Sequence, residues 1–178
     1  APSTYYSVFD PSVLNTTSAK IDVSSDGSVI VVGSPHLSSG LGGVLVFKTS
    51  PGVHGPNLFQ VLSPPDGNTS ARYGSSVRVS SDGKTILTSS TEVTSKSTPG
   101  RVYMYSLDGG RYALSDTFVE KIKPGDISAL RRVGNYGSSV SCNDIASDVL
   151  ISTPFRTDPS DNSASALRYA SVNFYTKN

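Results

Sequence analysis

Two histidines, one cysteine and fourteen carboxylates are all that 178 residues offer for acid–base, nucleophilic or metal chemistry. Metal sites and nucleophile–base pairs need a histidine close to Cys, Asp or Ser. His36 follows Pro35 in a polar stretch, and His54 stands alone in PGVHGP. Each reads as a lone loop histidine. Cys142 sits in an apolar register of its segment and reads as a core residue rather than a nucleophile. Asp26, Asp82 and Asp108 each stand next to glycine and read as turn formers. No two carboxylates are spaced as an acid–base couple. The two SSDG strings also lack the one-residue gap between Asp and Gly that a sialidase-type Asp-box has. These residues predict no catalytic group, no metal and no cofactor.

What remains is chemistry of recognition. Arginine and tyrosine are enriched where proteins bind partners. The long polar stretches at 34–42, 63–73, 90–100, 120–136 and 153–168 carry His36, Arg72, Tyr73, Arg131, Arg132, Tyr136 and Arg156. That set is the candidate ligand-binding surface, although solvated loops collect such residues in any case. Glu92, Lys96, Asp158 and Asp161 share the same stretches. Asn15 and Asn68 match the N-glycosylation pattern. With eight Asn and about a quarter Ser and Thr, roughly two matches arise by chance, so they decide nothing about secretion.

Several classes are excluded by composition. Net charge is +1 and only 16% of residues are charged, so there is no basic field for nucleic acid. No apolar run approaches the ~18 residues of a membrane span. The opening APSTYY has no basic or apolar leader, which leaves a processed chain or an excised domain open. One cysteine excludes an internal disulfide framework. Glu occurs twice, whereas Ser, Thr, Val, Gly and Tyr abound, which favours an all-β fold.

The elements that must position these residues are repeated. YGSSV occurs at 73–77 and again at 136–140. Sliding the chain along itself lays VSSDG at 23–27 on VSSDG at 79–83, and a slightly longer slide lays 136–154 on the second copy. GGVLVF, GRVYMY and ASVNFY (42–47, 100–105 and 170–175) share a second pattern. Each unit therefore reads as four strands. An alternating small-residue strand comes first, then an Asp-Gly turn, then an apolar run (VIVV, TIL or VLI). A long loop leads to the GxVYxY-like strand, and in unit two DGG turns the chain into RYALSDTFV. Four antiparallel strands, repeated, is the grammar of a β-propeller blade.

At these residues the chain resembles FG-GAP repeat proteins, the blade type of the integrin α-subunit head. Tyr73-Gly74 and Tyr136-Gly137 stand where that family has Phe-Gly, VVGSP where it has a Gly-Ala-Pro-like ending, and GRVYMY where it has Gly-x-Val-Tyr-Val-Tyr. The resemblance implies a propeller with a binding or adhesion role. It also implies calcium in the first hairpin, but VSSDG offers one carboxylate where calcium takes six to eight oxygens, so no metal is expected.

The expected architecture is a single all-β propeller domain over 1–178, with blades at 17–62, 73–119 and 136–178. The third blade lacks its last strand, and a strand at 1–10 is free to supply it, within the chain or in a dimer partner. A three-bladed monomer, a six-bladed homodimer and a piece of a longer propeller all follow from this count, since propellers usually close with about 4–8 blades. The expected function is a non-catalytic, extracellular or surface module that binds a protein or glycan through its long-loop face. A structural, assembly or projection domain of a viral or cell-surface particle is the alternative, and a glycan-acting enzyme is the third reading.

Overall fold

In the computed structural model the described residues are 19–52, 55–65, 72–91, 100–119, 136–157 and 168–176. They form eleven strands in three antiparallel sheets. Sheet 1 runs β1 (Lys20–Val23), β2 (Val29–Ser34), β3 (Gly43–Lys48), β4 (Asn57–Leu62), each paired with the next. Sheet 2 repeats that order with β5 (Tyr73–Val79), β6 (Thr85–Ser90), β7 (Arg101–Asp108) and β8 (Arg111–Val119). Sheet 3 holds β9 (Ser139–Cys142), β10 (Asp148–Thr157) and β11 (Arg168–Thr176). One helical turn, α1 (Leu37–Gly40), interrupts the loop after β2. No described helix is long and apolar enough to cross a membrane. The 1–10 strand, and the loop residues His54, Glu92, Lys96, Asp158 and Asp161, lie outside the described residues.

The first hairpin of each unit shows why the repeat is local chemistry. In unit one the Ser24 hydroxyl donates to Asp26 at 2.8 Å and accepts from the Val29 amide. The Ser28 amide donates to the same carboxylate at 2.9 Å. That amide, and then the Ser24 hydroxyl, hold the Asp26 carboxyl down at about 2. Ser80, Asp82, Lys84 and Thr85 reproduce the pattern in unit two. Unit three has Asn143 in place of the serine, and its side-chain oxygen accepts from the Asp148 amide. Gly27 and Gly83 take φ near +70° to close these turns, and Ala146 is forced to +56° at the same place.

The sheets stack in chain order, β5 against sheet 1 and β9 against sheet 2. Val29, Val31, Val44, Val46, Leu62, Val77, Val79, Ile86, Tyr103 and Tyr105 fill the first joint. Leu87, Val102, Met104, Val140, Val149 and Ile151 fill the second. Each such side chain contributes about 1.5–3 kcal/mol by leaving water. Consecutive positions of a strand thus face opposite joints, which is why β6, lying between the two, is buried on both sides.

A row of backbone ties crosses both joints on the hairpin side, and at the other end the backbones of neighbouring sheets come close. On the hairpin side the Ser25 amide donates to the Ser81 carbonyl at 3.0 Å, and the Ser81 amide to the Asp144 carbonyl at 2.9 Å. At the other end Gly42 forms a parallel bridge with Tyr73. A side-chain carbon at Gly42 would stand 2.1 Å from the Tyr73 carbonyl oxygen, and one at Gly100 would stand 2.5 Å from that of Tyr136. Gly74 (φ +90°) completes the approach: an added carbon there would meet the Gly43 oxygen at 2.5 Å.

Candidate functional site

Of the long-loop surface predicted from sequence, His36, Arg72, Tyr73, Tyr136 and the backbone of Arg156 lie among the described residues. Tyr73 and Tyr136 are fully buried, not loop-closing ligands. Tyr73 donates its hydroxyl to the Tyr105 hydroxyl at 2.7 Å, and Tyr136 shares a 2.8 Å bond with the Tyr175 hydroxyl. A tyrosine can sit inside an apolar joint when its hydroxyl has a partner, and here each repeat supplies one from its third strand. Arg72 is exposed beside Tyr73 at φ +44°. His36 is half-buried just ahead of α1. Arg156 has its backbone in β10, paired with Tyr169. Arg131, Arg132, Asn15 and Asn68 lie outside the described residues.

A polar row forms on the first strand of each sheet. Each sheet begins with its edge strand, and β1, β5 and β9 lie side by side. Position 22 in unit one corresponds to 78 in unit two. Asp22 faces sheet 2, where one carboxylate oxygen accepts from the Val79 amide at 2.8 Å and the other lies 3.4 Å from the Arg78 guanidinium. The Asp22 side chain is 16% exposed and that of Arg78 45%, so the acid is anchored and the guanidinium reaches solvent. The Val140 amide on β9 is held by the Ser76 hydroxyl at 3.2 Å.

Cys142 completes the row. It is half-buried in the second joint, rather than wholly in the core as its register suggested. Burial pushes its thiol up; Arg78 pulls it back by charge and hydrogen bonding, against the push of Asp22 and Asp144. The net rise keeps it a neutral thiol at ordinary pH, unfit as a resting nucleophile. The row can therefore hold an anion at Arg78, which has five donors and is oriented from behind by Asp22. Among the described residues, no group of three or more His, Cys, Asp or Glu could hold a metal ion. The Asp22–Arg78 pair was findable in the sequence, because opposite charges occupy one repeat position in consecutive units.

A cavity of about 280 Å³ lies at the second joint, lined by Met104, Asp116, Phe118, Ser147, Val149, Tyr175 and Thr176. At the same place in the first joint stands Tyr112. Its hydroxyl donates to the Gly83 carbonyl, and its backbone exchanges two 2.9 Å bonds with the Gln60 side chain. Burial first, and then Asp82, push this phenol up to about 12, so it remains a donor.

No protein-family model matches the chain, and no curated protein does. Among solved structures it is similar to the crystal structure of a putative 6-phosphogluconolactonase from Bacteroides fragilis NCTC 9343, with a TM-score of 0.51 and 13% identity. The match covers 87% of this chain and 41% of that one, so the chain spans about two fifths of its length. The likeness supports a propeller-type fold. It also corrects the expectation of a non-catalytic recognition module with adhesion or projection roles, because the fold it matches is that of a putative enzyme. The burial of Tyr73 and Tyr136 removes two residues on which that expectation rested.

Proposed function

We propose that the chain is an arc of an enzyme-type propeller that hydrolyses a small anionic sugar lactone on its inner wall. The observation that carries this reading is the Asp22–Arg78 pair, a guanidinium held from behind by a carboxylate and open to solvent at the sheets' inner edges. The substrate class comes from the similar structure, whose name is that of a lactonase. Water would add to the lactone carbonyl and the ring C–O bond would break. The products are a carboxylate and a hydroxyl, with one proton released to solvent. Arg78 would hold the substrate's anionic group or the oxyanion that develops at the carbonyl. Asp22 is a positioning residue that fixes the guanidinium. In the same reading the three sheets are blades, and the segment 1–10 supplies the outer strand of the third.

The test is proton release from 6-phosphogluconolactone in weak buffer, measured above the spontaneous rate. The intact chain should accelerate hydrolysis. Arg78→Ala should lower kcat/KM at least tenfold, and Arg78→Lys should recover part of it. Asp22→Asn should raise KM more than it lowers kcat. A rate no greater than buffer alone rejects the proposal, and so does an Arg78→Ala variant as fast as the parent.

A further inference from the structure

The two outer faces of the stack expose apolar positions whose counterparts are packed inside it. Val44, Val46 and Val31 of sheet 1 face sheet 2 and are 0% exposed. Their counterparts in sheet 2, Val102, Met104 and Leu87, face sheet 3 and are at most 3% exposed. In sheet 3 the same positions are Val172, Phe174 and Leu150, and they stand 67%, 64% and 44% exposed. The opposite end matches. Val77 and Val79 pack back onto sheet 1 at 7% and 4%, whereas their counterparts Ile21 and Val23 are 62% and 53% exposed. Beside them Val32, Leu45 and Phe47, with Ile30 and Leu37 packed against them, are already buried in a single copy, so the open part of that face is its inner edge at Ile21 and Val23.

The hairpin ties carry the same message in hydrogen bonds. The ladder starts at Ser25, passes through Ser81 and arrives at Asp144. At every step an amide of one sheet donates to the carbonyl of the next. The Asp144 amide is the next donor in line, and the Ser25 carbonyl is the matching acceptor at the far end.

We propose that sheet 3 of one copy docks on sheet 1 of a second copy, and that two such joints close a six-sheet ring. The occupant is a second copy because this chain carries both surfaces of the joint, each the counterpart of one already packed inside it. Six sheets fall within the range of about 4–8 at which propellers close. A pair closed about a two-fold axis leaves no open face. Closure would also carry the inner polar row around the axis, with Ser141 of one copy meeting the β1 edge of the other.

Light scattering over a concentration series tests this on the intact chain. The expected mass is twice the 18.6 kDa of one chain. Phe174→Asp and Val23→Glu lie at opposite ends, and both side chains are exposed in a single copy, so each variant should keep its circular dichroism spectrum. Each should weaken self-association more than tenfold, since a charge would be buried in an apolar joint. As a second measurement, Val23→Cys with Leu150→Cys, in a Cys142→Ser background, should give a covalent dimer under oxidation. A parent that keeps the mass of a single chain at all concentrations overturns the proposal. So does a dimer that survives both charge variants, or a mass that grows without limit, which would mean an open chain of copies.

Discussion

The two internal joints are built from the same repeat positions, yet one is filled and the other is hollow. In the first, Tyr112 enters from β8, bonds the Gly83 carbonyl and is gripped through its backbone by Gln60. In the second, Ser147, Val149, Tyr175 and Thr176 face Met104, Asp116 and Phe118 across about 280 Å³. The cavity walls are the counterparts of residues around Tyr112: Asp116 for Gln60, Phe118 for Leu62, Val149 for Ile86, Tyr175 for Tyr105. Sheet 2 carries Tyr112 on its fourth strand, β8, and the described part of sheet 3 comprises β9, β10 and β11. In the first joint the outer strand β8 thus does more than cap its sheet: Tyr112 fills the space behind it.

The strongest way to break the contrast is to hollow out the first joint. Tyr112→Ala should cost about 3–5 kcal/mol in urea unfolding, because it opens a cavity and strands the Gly83 carbonyl, while the backbone bonds to Gln60 stay. A loss below about 1 kcal/mol would show that the first joint does not depend on its plug. The opposite manoeuvre is to fill the second joint. Val149→Phe should be tolerated to within about 1 kcal/mol, whereas Ile86→Phe at the corresponding position should cost about 1–3 kcal/mol by overpacking. Equal costs would mean that the cavity is not usable space. The smallest effect concerns the turns below. Ala146→Gly should stabilise by about 1 kcal/mol through relief of a left-handed alanine. Gly83→Ala should destabilise, since its added carbon would lie 2.9 Å from a Val29 methyl carbon. Thermal unfolding of the pair checks both signs.

Much of this scaffold was legible in the residues. VIVV and TIL mark apolar strands, the SSDG strings mark the hairpins, and RYALSDTFV is β8 with the expected bounds. The tyrosines of YGSSV are buried where the sequence suggests surface groups. At the end of a polar loop an aromatic looks like a surface group, and only the three-dimensional pairing with Tyr105 and Tyr175 reveals a buried hydroxyl with a partner. The adjacent glycine, Gly74, is legible only as part of a small-residue strand. Its larger role, close backbone contact between sheets, depends on Gly33 and Gly43 of the neighbouring unit and has no local signature. The Asp22–Arg78 pair was visible as a charge change at one repeat position. It carried no weight until the edges β1 and β5 were seen to touch.

The third unit follows the second at a longer interval than the second follows the first, yet the Ser25–Ser81–Asp144 ladder is undisturbed. Both partners of every rung lie inside a hairpin, so the added length is taken up elsewhere. A duplicated unit would inherit a donor and an acceptor already in place, with no second mutation needed to splice it in. Loops are then free to drift in length and composition while inheritance of the joint stays intact. That freedom accounts for a sequence in which the hairpins remain recognisable and the stretches between them do not.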